Sequence, residues 1–349
     1  MTQARLARRV PALASMVAAL CTACGGSGGG SPRAADAVAC LVDSACNRVV
    51  AVSSRGSRFF APEETVAAND LGVAFGAEAI SFDVRRSADG FVVLMHDPTV
   101  DRTCTGTGAI ADLSFDALRG IEVLPPDQRG ELGSDEVIFL ATTGLKVLVR
   151  TPQPIPTLDD AARGLRGRAA MVVNLEVDVA AGVAQVVRQV RALAKLDETV
   201  FVADSAAEAR AVLAEEPSAV VAVRPYDAGA WTQMKNELGA AGTRIVKMNP
   251  GDPGFDAVRE DVLASGRKLF VEVLGSTDTL ATLAQRTATM QGAPPEEALA
   301  AARYVYQASY DSTRLRMVET DRIDTVAPFT ADYNLALGDD PVPPAPPGG

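Results

Sequence analysis

The sequence predicts an α/β fold, a TIM-type (β/α)8 barrel, on three observations. Short apolar segments of strand length recur eight times between residues 48 and 320, most of them followed by a stretch with helical periodicity. One hairpin and one irregular insertion interrupt the alternation after the second strand, and beyond them it is regular. At 349 residues, 48% of them hydrophobic, the chain has room for two average domains or one large barrel, and an unbroken alternation of this length favours the barrel.

Taken in order, the first segment reads as a targeting signal. Arg5, Arg8 and Arg9 precede the apolar run Val10–Leu20, which is too short to span a bilayer with ordinary flanks, and a signal peptide is expected over residues 1–23. Leu20-Cys21-Thr22-Ala23-Cys24, followed by glycines and serines, resembles a bacterial lipoprotein lipobox. That resemblance implies an exported protein whose mature chain starts at a lipidated Cys24 and is held to the membrane by the anchor. An ordinary cleaved signal peptide is the other reading. Residues 24–47 are expected to form a flexible tether. In an oxidising compartment Cys40–Cys46 is the expected disulfide, and Cys104 is left as a free thiol.

The barrel is expected over residues 48–330. Arg48–Ser53 is the first strand and ends in Ser54-Arg55-Gly56. Pro62, Glu63 and Glu64 suit the start of a helix, with Ala67, Leu71, Ala74 and Phe75 on one face. Ala79–Val84 is the next strand, and its alternation puts Ser81 and Asp83 on one side. Ser87-Ala88-Asp89-Gly90 is a turn leading to the strand Phe91–Met95, so a hairpin centred near Asp89 is predicted to set His96 across from Asp83. Residues 118–156, rich in proline and glycine, read as an insertion over one face. Six more strands follow, Met171–Glu176, Val200–Ala203, Ala219–Val223, Arg244–Met248, Lys268–Val273 and Arg316–Thr320. Val183, Val186, Val187 and Val190 form a helical stripe, and Gly242 and Gly266 are placed to end helices. Residues 331–349, closing in GDDPVPPAPPGG, are expected to be a Pro-rich disordered tail.

A net charge of −11 argues against nucleic acid or an anionic membrane surface as an electrostatic partner. One histidine in the whole chain, with no Cys/His cluster, argues against a zinc site. Working groups of a (β/α)8 barrel sit at the C-terminal ends of its strands. Those ends carry Ser54-Arg55, Ser81 and Asp83, Glu176 and Asp178, Lys247, Glu272 and Thr320-Asp321, with His96 brought in by the hairpin. Carboxylates suit a hard divalent cation such as Mg²⁺ or Ca²⁺, Arg55 suits a phosphate, and His96 suits proton transfer. Together they point to phosphodiester hydrolysis.

The motifs Ser54-Arg55-Gly56, Pro62-Glu63-Glu64-Thr65, Ile80-Ser81-Phe82-Asp83-Val84, Asp89-Gly90, His96-Asp97-Pro98 and Asp101-Arg102-Thr103 resemble the glycerophosphodiester phosphodiesterase family. The usual family text is HRG, PENT, IExDV, DG, HDP and DRT. Ile155-Pro156-Thr157-Leu158, Asn174-Leu175-Glu176 and Thr320-Asp321 match later landmarks, so the resemblance runs over about residues 49–324. It implies a (β/α)8 enzyme that splits glycerophosphodiesters, in lipid metabolism, into an alcohol and glycerol 3-phosphate with a divalent cation. It implies catalytic roles for His96 and Arg55 and metal-binding roles for Asp83 and Glu176. Four positions depart from the pattern. Ser54 stands for the first family histidine, Ser81 for a metal-binding glutamate, Asp178 for a lysine and Glu272 for a tryptophan.

Two consequences are open at the level of sequence. Asp178 is either a third metal carboxylate beside Asp83 and Glu176 or a repulsive charge where phosphate binds. Arg55 grips phosphate or bridges Glu63 or Asp83, while Lys247 and Glu272 read as ordinary solvated or paired charges. The expected protein is a phosphodiesterase with impaired catalysis. The alternative is a non-catalytic envelope binding protein on the same barrel, a pseudoenzyme.

Overall fold

The computed structural model describes residues 34–129, 148–273, 284, 288 and 291–337. In chain order its strands are β1 (Val50–Ser54), β2 (Ala79–Arg86), β3 (Val92–Leu94), β4 (Glu122–Val123), β5 (Gln153–Pro154), β6 (Ala170–Leu175), β7 (Thr199–Ala203), β8 (Val220–Val223), β9 (Ile245–Met248), β10 (Lys268–Glu272) and β11 (Met317–Thr320). The α-helices used below are α1 (Ala34–Val42), α2 (Val66–Ala74), α3 (Phe115–Leu118), α4 (Leu158–Leu165), α5 (Gly182–Ala192), α6 (Ala206–Glu215), α7 (Ala228–Leu238), α8 (Phe255–Ala264), α9 (Pro295–Thr313) and α10 (Ile323–Leu337). Strands β1, β2 and β6 to β11 are parallel neighbours, and β1 pairs with both β2 and β11, which closes the ring. The eight-stranded parallel barrel expected from the alternation is therefore present.

Strand alternation divides the apolar residues between two cores. Val50, Val52, Ala79, Ala170, Val172, Val200, Val202, Ala222, Ile245, Phe270 and Met317 fill the barrel interior. Their neighbours in sequence, among them Ala51, Ile80, Phe82, Val173 and Phe201, face the helices. The stripe Val183, Val186, Val187 and Val190 lies on that outer core, as its spacing predicts. Helices α2, α4, α6 and α7 start on Thr65, Thr157, Ser205 and Asp227, each accepting a hydrogen bond from a backbone N–H three residues on.

Four expectations are corrected. Residues 34–42 are helix α1 rather than tether, because Ala34, Ala37, Val38 and Leu41 fall on one face and pack into the barrel interior. The Cys40–Cys46 disulfide forms just after it. Helix α10 runs through Leu337, beyond the expected boundary of the tail. Tyr333 packs edge-on against Tyr310, and Asn334 exchanges hydrogen bonds with both backbone groups of Val49. The end of α7 is made by Gly239 in the left-handed region (φ 64°) rather than by Gly242, whereas Gly266 follows α8 as expected.

The hairpin is the fourth. Arg86 pairs with Val92, Arg85 with Val93 and Val84 with Leu94, so a turn centred on Asp89 brings Met95, not His96, to Asp83. The Met95 N–H donates to the Asp83 carbonyl at 2.9 Å, and His96 lies one residue beyond. Over the barrel, Val93, Met95, Val100, Cys104, Ile110, Leu118, Val123 and Ile155 form a small separate core that includes β4 and the single turn α3. Cys104 is buried there, and burial pushes its thiol up to about 11, which leaves it unreactive. The predicted signal peptide, Cys24, residues 130–147 of the insertion and the tail from residue 338 lie outside the described residues.

Candidate active site at the barrel mouth

Followed upward, each inward-facing row changes from apolar to polar in its last residues. Val50 and Val52 lead to Ser54, Ala79 to Ser81 and Asp83, Ala170 and Val172 to Asn174, Ile245 to Lys247, Phe270 to Glu272 and Met317 to Glu319. The ions are therefore gathered at the C-terminal mouth, where loops lend further charges.

The β1 side is the most constrained. Arg55 follows β1 with φ 48°, and Glu64 has φ 59°, a conformation costly for residues with a side chain. Their backbones are tied together, the Glu64 N–H donating to the Arg55 carbonyl at 3.1 Å. Gly56 between them has φ 70°, and a Cβ there would lie 2.6 Å from Ala68, so the Ser-Arg-Gly turn closes only on glycine. Arg55 stands 3.4 Å from Glu63 and 3.8 Å from Asp83, so it makes both contacts weighed in the sequence.

Glu63 and Glu64 are adjacent, fully buried and opposite in electrostatics. Burial disfavours the Glu63 charge, but Arg129, Arg55, Arg102 and Arg58 outweigh it and hold the carboxyl well below the usual range. Contacts of 2.9 Å from Arg129 and 2.8 Å from Arg102 carry much of this. For Glu64, burial and the charge of Asp83 push the carboxyl well above the usual range. Its Oε1 accepts the Asp83 N–H at 3.0 Å, while the buried Oε2 finds no hydrogen-bond donor among the described residues.

His96 is half-exposed and is oriented by its neighbour. Its Nδ1 meets Asp97 Oδ1 at 2.6 Å, which leaves Nε2 as the nitrogen for proton exchange. Arg102 grips Asp97 through two contacts of 2.6 and 2.9 Å and reaches Glu63 with the same guanidinium. Burial opposes the Asp97 charge, but hydrogen bonds with His96 and Arg102 hold the carboxyl well below its ordinary value. A continuous chain of charged contacts thus joins His96, Asp97, Arg102, Glu63 and Arg55.

The remaining predicted residues are placed differently. Glu176 pairs with Arg85 at 3.2 Å, and the same arginine donates to the His96 carbonyl, so Glu176 stays at the mouth. Asp178 does not. Strand β6 ends at Leu175, so two-residue alternation no longer applies, and Asp178 pairs with Arg86 at 2.6 Å while accepting the Ala181 and Gly182 N–H groups at the start of α5. No group of three His, Cys, Asp or Glu side chains arranged for a metal occurs among the described residues, so the Asp83, Glu176 and Asp178 set is not assembled. Lys247 is not a solvated charge. It is buried, 2.7 Å from Glu319, 3.4 Å from Glu272 and 3.2 Å from Asn174 Oδ1. Burial works against its charge, but Glu319 and Glu272 prevail and raise its pKa. Ser81 accepts from Asn174 at 2.9 Å and so joins this network. Asp321 is buried in a two-pronged pair with Arg58 at 2.5 and 2.6 Å.

Two features of the mouth were missed in the sequence. Glu64 was read as a helix-start charge, and Asp97 only as part of a motif. A signal for Glu64 was present in the text, since the family pattern PENT has asparagine there.

The sequence pattern of the glycerophosphoryl diester phosphodiesterase family matches residues 55–229, half of the chain. The chain belongs to that family. It is 47% identical over 73 residues to glycerophosphodiester phosphodiesterase 1 of Bos taurus, a match covering 21% of this chain and 22% of that protein. The chain thus spans about a fifth of the length of this curated relative. Among solved structures, a glycerophosphoryl diester phosphodiesterase of Parabacteroides distasonis superposes with TM-score 0.63 at 17% identity over 90% of this chain and 95% of the other. An Oleispira antarctica phosphodiesterase, solved with its product sn-glycerol-3-phosphate, superposes with TM-score 0.57 at 16% identity over 83% and 99%. These likenesses establish the barrel fold.

Proposed function

We propose that the protein is an exported, divalent-cation-dependent phosphodiesterase acting on glycerophosphodiesters, with catalysis slowed by the loss of one of two acid/base histidines. The observation that supports this is the His96–Asp97 pair, linked to Arg55 through Arg102 and Glu63 at the mouth of a family barrel. Hydrolysis adds water across a P–O bond, releasing an alcohol and a phosphomonoester. Arg55 holds the phosphoryl oxygens, and its contacts with Glu63 and Asp83 orient the guanidinium before substrate arrives. His96 Nε2 passes a proton to or from the reacting oxygens, while Asp97 sets the ring tautomer and steadies the imidazolium. Ser54, buried where the first histidine is expected, supplies no acid or base, and about 10²–10⁴ of rate is lost with such a group. When bound, Mg²⁺ or Ca²⁺ would polarise the phosphoryl group, and Asp83 and Glu176, the two predicted carboxylates that stay at the mouth, are oxygen donors of the kind these ions take.

A second reading is favoured by Ser54 and Ser81. The same barrel then holds a glycerophosphodiester without cleaving it. Release of glycerol 3-phosphate from glycerophosphodiesters, with Mg²⁺ or Ca²⁺, separates the two. Cation-dependent release supports hydrolysis. Absence of release, together with its appearance in a Ser54→His/Ser81→Glu variant, supports the binding protein. Lipid anchoring through Cys24 is part of the proposal and rests on the lipobox-like sequence alone. Labelled fatty acid incorporated into the wild type but not into Cys24→Ala checks it.

A further inference from the structure

We propose that Glu64 supplies the metal carboxylate missing at position 81, so that Glu64 and Asp83 together form a two-carboxylate site for a Mg²⁺-like cation. This rests on the phosphodiesterase reading and adds a ligand that the motif pattern does not contain.

Four observations carry it. Glu64 is 1% exposed, its Oε1 already meets the Asp83 backbone N–H, and its buried Oε2 finds no donor among the described residues. Two buried carboxyls in contact repel unless a proton or a cation sits between them. The Glu64 side chain is also fixed on one edge only. Oε1 accepts the Asp83 N–H at 3.0 Å, and Oε2 is the edge left for a ligand. Its backbone is held in a left-handed conformation (φ 59°) by a hydrogen bond to the Arg55 carbonyl and by Thr65, which caps α2. A strained non-glycine residue locked between the phosphate-gripping arginine and a metal-binding aspartate is better explained by a role at the site than by packing. Finally, Ser81 is turned to a different task. Its hydroxyl accepts from Asn174, which in turn accepts from Lys247. The strand therefore gives up a carboxylate at residue 81 and the loop above it gains one at residue 64.

The coordination suits magnesium better than calcium. No third His, Cys, Asp or Glu completes a metal-binding group among the described residues. Mg²⁺ accepts one or two carboxylates when waters and phosphate oxygens fill the other places, whereas Ca²⁺ takes six to eight oxygens. The site is thus expected to bind its ion weakly alone and more tightly with a phosphomonoester present.

The experiment is a titration of the purified full-length chain with Mn²⁺, a paramagnetic stand-in for Mg²⁺, following free Mn²⁺ by its resonance signal with and without sn-glycerol 3-phosphate. The wild type is expected to bind one ion, at least tenfold more tightly with the phosphomonoester. Glu64→Gln and Asp83→Asn should each weaken binding at least tenfold, and Asp178→Asn should leave it unchanged. Thermal melting in chelator identifies any variant that does not fold, and Glu64→Asn/Ser81→Glu, which moves the carboxylate back to the strand, is expected to recover binding. Wild-type affinity in folded Glu64→Gln overturns the proposal while leaving a cation-dependent phosphodiesterase intact. Absence of Mn²⁺ binding by the wild type in the presence of glycerol 3-phosphate overturns both.

Discussion

Two ionic clusters share the mouth of the barrel, and they differ in how completely they are neutralised. On the β9–β11 side, Lys247 is enclosed by Glu319, Glu272 and Asn174, and Arg224 closes on Glu272 at 3.3 Å. On the β1–β2 side, Glu63 is surrounded by arginines, while at its neighbour Glu64 burial and the acid Asp83 outweigh the one nearby arginine, Arg55. In the first cluster each carboxylate has a cation within 3.4 Å, and the cluster behaves as structure. The second carries an unmatched oxygen, backbone strain and an oriented histidine, the signs of a site waiting for a charged partner.

That contrast is broken most severely by mutating each cluster at its centre. His96→Ala should cut turnover by about 10²–10⁴ while leaving the melting temperature unchanged, because the ring is half-exposed and packs little. Lys247→Met should do the reverse. It strands Glu319 and Glu272 without their shared cation and is expected to cost about 3–5 kcal/mol in urea unfolding. A Lys247→Met protein of wild-type stability would show that the enclosed cluster is not structural.

A smaller effect separates orientation from chemistry. Asp97→Asn leaves His96 in place but replaces the carboxylate with an amide, so turnover should fall less than in His96→Ala. It should also change acid stability. The Asp97 carboxyl is held low in the fold, so its contribution is present above the unfolded value near 3.9 and is lost as pH falls through the folded one. The wild type should therefore lose stability below about pH 4 more steeply than Asp97→Asn, as read from urea midpoints. Smallest of all is Asp178→Ala. It removes the side-chain acceptor at the start of α5, should cost about 1 kcal/mol, and should leave turnover unchanged.

The barrel was legible because apolar periodicity is local, and each barrel strand announced itself within one or two residues of its observed ends, whereas the short β4 and β5 in the insertion did not. The mouth was less so. Lys247 read as a solvated or paired charge, and the fold selects the pairing, but nothing in its own strand shows that Glu319, far along the chain, lies beside it in the ring. Asp178 looked like a ligand because strand alternation was extended past Leu175, where β6 stops. Helix α1 was hidden inside a glycine- and serine-led segment, although Ala34, Ala37, Val38 and Leu41 carry helical spacing. Glu64 was overlooked because a glutamate near a helix start has a ready explanation in the helix dipole, and only the fold reveals the acid beside it.

Phosphodiester hydrolysis at the β1–β2 side is the proposal on which the reading of the mouth turns. Glycerol 3-phosphate release from a panel of glycerophosphodiesters, measured with Mg²⁺ and with chelator for wild type and His96→Ala, tests it most directly. Release that needs the cation and disappears in His96→Ala is the predicted result. No release by the wild type, or equal release by both proteins, contradicts it.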